Sequence, residues 1–452
     1  MPIQIDCFKA YDIRGRIPDE LNADIAYRIG NATVQYLNAK AIVLGRDIRL
    51  SSDELADAIT RGITDAGADV LDIGLCGTEM VYFATGDLKA DGGIMVTASH
   101  NPADYNGLKL VREQSKPISA DTGLMDIKII AEGDDRQTSK EPGKRTEQDV
   151  SRRYVDRLLS FIDPGKLKPL KIVSNPGNGG AGLALDLIEP HLPLEFVKVH
   201  HAPDGTFPNG VPNPMLEENR GPTVDAIRES GADFGIAWDG DFDRCFFFDE
   251  TGRFIEGYYI VGLLAEALLQ KYPNNSVIYD PRLTWNTIEI VTAAGGKAIQ
   301  SKSGHSFIKQ VMREQDALYG GEMSAHHYFR NFYYCDSGMI PWLLVAQLLS
   351  TSGKKLSELV NDRMNLYPAS GEINRTVADA PSAIQELSKL YGRDAKSIDE
   401  TDGVSIEFED WRFNLRASNT EPVIRLNVES RANESLMREK VNDILAVLDR
   451  LA

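Results

Sequence analysis

Asp239, Asp241 and Asp243 stand at alternating positions in the segment DGDFDR. Three carboxylates this close repel one another unless a cation joins them, and hard oxygen ligands suit a divalent ion. Mg²⁺ fits best, because it keeps coordination positions open for phosphate oxygens. An acidic surface loop is the plainer alternative. It loses because the flanking apolar runs, Phe234–Trp238 and Cys245–Phe248, read as strands that anchor the loop at a core. The spacing also mimics the start of an EF-hand, with Glu250 at the last ligand position. Arg244 stands where that loop needs glycine, and strand-like residues fill its second half.

A second chemical segment is Thr97–Pro102, TASHNP. It ends the strand-like run Gly93–Ser99, so Ser99 is expected at the C-terminal end of a strand, the edge where parallel sheets bind ligands. Pro102 forces a turn that would hold the Ser99 hydroxyl on a stiff bend. Read alone, the segment is more simply a Ser/Asn/Pro turn. A serine-hydrolase reading is weak: no GxSxG elbow is present, and His100, adjacent in sequence, is expected to point away.

Two further segments can bind a sugar phosphate. GGEMSAHH (Gly320–His327) offers Glu322 and Ser324 to grip neighbouring hydroxyls and a histidine able to move a proton near neutral pH. RASNTEP (Arg416–Pro422), with Arg425 close by, gathers a guanidinium, hydroxyls, an amide and backbone N–H groups into a possible phosphate cradle. Each is equally readable as an ordinary turn when taken singly. The glycine-rich NPGNGGAG after Ser174 lacks both the GxGxxG spacing and the Walker Lys-Ser/Thr ending, and reads as a strand-to-helix turn.

The elements that must carry these segments follow a repeated rhythm. Strand-like Ala41–Gly45, Val70–Gly74 and Gly93–Ser99 alternate with the helical pattern Asp53–Ala66, as crossover-connected parallel strands do. The rhythm restarts at Leu170–Ser174 and again after Ile255, where a helix over Tyr258–Leu269 precedes strands Val277–Tyr279 and Lys297–Gln300. From Gly371 onward strands and helices mix differently. The fold class expected is α/β, with three consecutive α/β domains of mixed, largely parallel sheets and a C-terminal α+β domain. Breaks in polar, proline-containing stretches divide the chain into 1–148, 149–252, 253–368 and 369–452.

A chain of 452 residues is too long for one core, in keeping with that division. Its net charge of −18 argues against nucleic acid or an anionic membrane surface as partner. The four cysteines, Cys7, Cys76, Cys245 and Cys335, are scattered and form no CxxC pair, which suggests free thiols. The N-terminus lacks the basic start and apolar run of a signal peptide, and the apolar run Met339–Leu349 is too short to span a bilayer. The expected location is cytoplasmic.

Taken together and in this order, the four segments resemble the α-D-phosphohexomutase superfamily, and the N-terminal KAYDIRG (Lys9–Gly15) is similar to that family's opening. The resemblance covers essentially the whole chain. It implies four domains around a central cleft: a phosphoserine domain, a metal-binding domain, a sugar-binding domain and a phosphate-binding C-terminal domain. It implies a phosphorylated Ser99, whose phosphate binds Mg²⁺, one per chain, together with Asp239, Asp241 and Asp243. Tyr11, Arg14 and Lys109 would surround the transferring phosphoryl group. Arg244, Arg282, Gly304 and His305 would line the cleft, and Glu322, Ser324 and His326 would read the sugar. Arg416, Ser418, Asn419, Thr420 and Arg425 would hold the other phosphate. His326 is the candidate general base or acid, with His305 as competitor.

Within the superfamily, GEMSAHH and RASNTEP resemble the phosphomannomutase branch, with combined phosphoglucomutase/phosphomannomutases close to it. The implied activity is interconversion of mannose 6-phosphate and mannose 1-phosphate, with some action on glucose phosphates, through a hexose 1,6-bisphosphate. A glucose-directed mutase, a metal-dependent phosphatase and a non-catalytic sugar-phosphate binder are the alternatives. Ala325 stands where many relatives have glycine, and Arg282 where many have lysine.

Overall fold

The computed structural model describes residues 3–417 and 423–451. The chain divides into two compact units. The first takes residues up to Phe254 together with His326–Gly353, and the second takes Ile255–Ala325 together with the chain from Lys354 onward.

In the first unit one sheet runs in the order Ile13–Arg16, Tyr105–Arg112, Gly92–Val96, Ala41–Arg46, Asp69–Leu75, Arg145–Glu147. Ala41–Arg46 lies parallel to both its neighbours, and the apolar Ile42, Val43 and Leu44 are buried, as a strand covered on both faces requires. Tyr105–Arg112 runs antiparallel to Gly92–Val96 and to Ile13–Arg16, which makes the sheet mixed. The helix Ala23–Leu37 begins at Asn22, whose side chain accepts from the N–H groups of Asp24 and Ile25, and stops at Asn38 in the left-handed region. A second sheet runs Cys245–Phe248, Phe234–Trp238, Lys171–Asn175, Glu195–Lys198. Its first pair is an antiparallel hairpin and the others are parallel.

The apolar run after Ser337 forms the helix Ile340–Ser352, buried through Ile340, Trp342, Leu343 and Val345. It is a core helix. No helix among the described residues is long and apolar enough to cross a membrane. The start of this helix is fixed by Glu79, fully buried near the N-terminus of the helix Thr78–Asp87. Its carboxyl group accepts from the Gly338 N–H at 2.6 Å, the Met339 N–H at 3.1 Å, the Ser337 hydroxyl at 3.0 Å and the Tyr154 hydroxyl at 2.5 Å.

In the second unit Ser276–Tyr279 lies between Lys297–Gln300 and Tyr319–Gly321, all parallel. The helices Gly257–Lys271 and Trp285–Ala293 accompany them. The remaining sheet is antiparallel, in the order Ile373–Thr376, Val423–Ser430, Trp411–Ala417, Val404–Glu407, Ser397–Asp399. Alternate residues Phe413 and Leu415, and Ile424, Leu426 and Val428, pack into one core with the helices Ala380–Tyr391 and Glu434–Leu448. The architecture is that of α/β domains with mixed sheets, followed by an α+β C-terminal part. Buried Glu429 binds the two parts of this unit together, accepting from Arg412 Nη1 at 2.9 Å, the Thr284 N–H at 2.7 Å and the Tyr258 hydroxyl.

Candidate active site

The hairpin Phe234–Trp238 to Cys245–Phe248 carries Asp239, Asp241 and Asp243 in its turn, with Phe242 buried in the left-handed region at φ 46°. The three aspartates are buried, and each offers an oxygen within 4.8 Å of the others. Ser99 arrives from the first sheet. The expected strand to Ser99 stops three residues earlier, at Val96, so Ser99 lies in the following loop with φ 48°. Its Oγ donates to Asp239 Oδ2 at 2.9 Å.

That loop is held by a residue that no local motif marks. The buried Arg49 donates from Nη1 to the carbonyls of Pro102 at 2.7 Å and Tyr105 at 2.9 Å, and from Nη2 to those of Ser99 at 2.9 Å and Asn101 at 2.6 Å. Arg14 adds contacts from Nη1 to the Ala98 carbonyl and, at 2.6 Å, to Asn101 Oδ1. His100 does not point away as expected. The positive φ at Ser99 brings its Nδ1 within 3.1 Å of Ser99 Oγ. Burial, with Arg244 and Arg14 nearby, pushes its pKa well below the ordinary value. Arg244 Nη2 lies 2.9 Å from His100 Nδ1 and can only donate, so that nitrogen is the acceptor and the ring proton sits on Nε2.

Lys109 Nζ donates to Asp241 Oδ2 at 2.7 Å and Asp243 Oδ2 at 2.5 Å, and Thr78 Oγ1 donates to Asp241 Oδ2 at 2.6 Å. Arg244 Nε stands 3.3 Å from Asp239 Oδ2, and His326 Nε2 stands 3.6 Å from Asp243 Oδ1. Burial and the neighbouring Asp243 push the Asp239 carboxyl up to about 7. Burial also acts on Asp241 and Asp243, but Lys109 outweighs it and both fall below the usual carboxylate range. Asp241 Oδ1 and Asp243 Oδ1 are buried and accept no hydrogen bond from any described residue. Uncommitted carboxylate oxygens in a trio this close are what a hard divalent cation needs, so the residues present fit a metal.

The second unit collects the other expected residues around Arg282. This guanidinium grips Asp280 through Nε at 2.9 Å and Nη2 at 2.8 Å, and Nη2 also reaches Glu322 Oε1 and Ser324 Oγ at 3.3 Å each. The Gly304 N–H, at φ 118°, donates to Glu322 Oε1 at 2.9 Å, and His305 opens the helix His305–Glu314. Arg416 and Arg425 stand opposite each other on neighbouring strands, and Glu372, absent from the sequence-based candidates, lies against both. Ser418, Asn419 and Thr420 lie outside the described residues. Tyr11 sits half-buried just before the strand Ile13–Arg16.

Thus a serine, an acidic trio and a ring of cations lie together in the first unit, on a mixed α/β scaffold. The chain belongs to the phosphoglucomutase/phosphomannomutase family: its alpha/beta/alpha domains I, II and III match residues 6–137, 152–252 and 256–367, and its C-terminal domain matches residues 372–447. Among its relatives, "Phosphohexose mutases" of Xanthomonas campestris pv. campestris (strain B100) is 58% identical over 444 residues, covering 98% of this chain and 99% of the other. "Phosphomannomutase" of Escherichia coli (strain K12) is 57% identical over 453 residues, covering 99% of each. The crystal structure of a phosphoglucomutase/phosphomannomutase family protein from Burkholderia thailandensis superposes with a TM-score of 0.87 at 32% identity, over 98% of this chain and 97% of the other.

Proposed function

We propose that the protein is an isomerase that interconverts mannose 6-phosphate and mannose 1-phosphate. A phosphoserine at Ser99 and a hexose 1,6-bisphosphate carry the phosphoryl group. The observation that carries the reading is the Ser99 hydroxyl, 2.9 Å from Asp239 at the edge of the acidic trio. A nucleophile beside a cation site and ringed by Lys109, Arg14 and Arg244 is suited to phosphoryl transfer, which rests on positioning and charge stabilisation. Family membership and relatives named phosphomannomutase support the sugar.

In this reading Asp239, Asp241, Asp243 and the Ser99 phosphate hold Mg²⁺. The ion, when bound, neutralises phosphate charge and makes the serine oxygen a better leaving group. Arg49 and Arg14 keep the Ser99 loop rigid, so the nucleophile needs little reorganisation. Lys109 and Arg244 stabilise charge on the phosphoryl oxygens in flight. His326, whose Nε2 stands 3.6 Å from Asp243 Oδ1, moves the proton of the attacking sugar hydroxyl. Glu322 and Ser324 read sugar hydroxyls, while Arg416 and Arg425 bind the phosphate that stays. Functionally the chain divides at 1–148, 149–252, 253–368 and 369–452. Four thiols in no disulfide support a reducing, cytoplasmic setting.

The test is ³¹P NMR with Mg²⁺, a trace of hexose 1,6-bisphosphate, and mannose 1-phosphate or glucose 1-phosphate in separate tubes. The expected result is conversion to the 6-phosphate without free phosphate, faster for mannose. Ser99→Ala should lower the rate by at least about 10³-fold. Release of free phosphate would replace the mutase with a phosphatase, and no turnover of either sugar would leave a binding protein.

A further inference from the structure

Arg416 and Arg425 face each other across an antiparallel strand pair. Like charges placed directly opposite on a sheet repel, so this pair needs an anion between its heads. The second unit supplies one from within. Glu372 Oε2 is 2.9 Å from Arg416 Nη2, Oε1 is 3.4 Å from Arg425 Nη1, and Oε2 is 3.7 Å from Arg282 Nη1. Glu372 immediately precedes the strand Ile373–Thr376, whose Asn374 is paired with Arg425, so backbone register brings the carboxylate to the guanidiniums. The side chain is only 8% exposed. Burial alone would raise its pKa, but Arg282, Arg416 and Arg425 outweigh it and hold the carboxyl below the usual range, hence ionised.

A carboxylate and a phosphate use the same guanidinium N–H donors. Arg282 already grips Asp280 with two nitrogens, so the donors at issue belong to Arg416 and Arg425. We infer that Glu372 is the resident counter-anion of this arginine pair, holding the donors that a substrate phosphate takes over. This rests on the reading of Arg416 and Arg425 as the phosphate cradle. Its functional content is a deliberate weakening. A cradle without an internal competitor would bind a phosphate dianion too firmly to let the bisphosphate let go and turn round. With Glu372 present, each departing phosphate is replaced by a carboxylate, and the arginines stay assembled while empty.

The experiment titrates the full-length protein with inorganic phosphate by calorimetry, in EDTA and at constant ionic strength, and follows the melting temperature in parallel. Glu372→Gln is expected to bind phosphate at least about tenfold more tightly than the unaltered protein. Its melting temperature should fall without phosphate and recover with it. Equal or weaker binding by Glu372→Gln would overturn the proposal. Arg416→Met separates the two readings. If it abolishes phosphate binding while Glu372→Gln gains none, only the counter-anion proposal fails. If it leaves phosphate binding intact, the cradle reading fails first. Should Glu372→Gln fold only when phosphate is present, that dependence supports the proposal. Should it fold in neither condition, Glu372→Asp decides in the same titration. Its carboxylate is one methylene short of spanning both arginines, so tighter phosphate binding supports the proposal and unchanged binding overturns it.

Discussion

Gly240 sits between the first two aspartates, and a Cβ built on it would lie 2.5 Å from the Ser99 carbonyl oxygen. The aspartate loop and the serine loop therefore touch backbone to backbone at a point where any side chain would separate them. Gly240→Ala should lower kcat by about 10²-fold through misplacement of Ser99, with a stability loss of only about 1–3 kcal/mol. Steady-state kinetics beside a urea titration would show the disparity, and an unchanged kcat would remove the contact's importance. At this scale the chemical types were legible. The aspartates and Ser99 announce themselves by local spacing. Arg49, His100 and Glu372 did not, because each acts on groups that only the fold delivers. Arg49 lies fifty residues before the Ser99 carbonyl it holds, and the serine–histidine contact depends on a left-handed φ that no spacing rule reveals. Ala325 adopts φ 69°, a left-handed conformation that glycine reaches without strain.

At the scale of elements, apolar runs fixed most strands closely. Phe234–Trp238, Cys245–Phe248 and Lys297–Gln300 fall where hydrophobicity and flanking polar residues place them. The clearest error lies at a strand end next to function. The strand expected to Ser99 ends at Val96. There the backbone leaves the ladder for reasons of loop geometry rather than side-chain hydrophobicity. Element docking also hides buried polar groups. Glu79 accepts from two backbone N–H groups and two hydroxyls around the start of the helix Ile340–Ser352. Glu79→Gln would set an amide NH₂ against those donors. It should cost about 2–4 kcal/mol, read as a lower urea midpoint. A shift below about 0.5 kcal/mol would show that the donors find other partners.

At the scale of the molecule, all four cysteines, Cys7, Cys76, Cys245 and Cys335, are buried in the first unit, so thiol chemistry reports on that unit alone. Burial pushes Cys7 and Cys76 up from 9.0 to about 12. At pH 9 the native protein should resist alkylation, and unfolding by urea should expose all four. Above pH 9 the unfolded state loses thiol protons that the folded state keeps. Stability should then fall between pH 9 and about 12, by about 1.4 kcal/mol per pH unit for each such thiol. Labelling of native protein at pH 9 would contradict this.

The first unit is assembled from two stretches of chain, and Glu79 joins them across a sequence separation of 258 residues to Ser337. On the ribosome, the helix Thr78–Asp87 emerges long before its partner exists. At synthesis rates of about 5–20 residues per second the Glu79 carboxyl waits roughly 10–50 s for the donors that satisfy it. For that interval the nascent unit lacks the Ser337, Gly338 and Met339 donors that hold the Glu79 carboxyl group, and its core lacks its last helix. The folding of this domain is thus timed by translation, and chaperone demand should concentrate in that window.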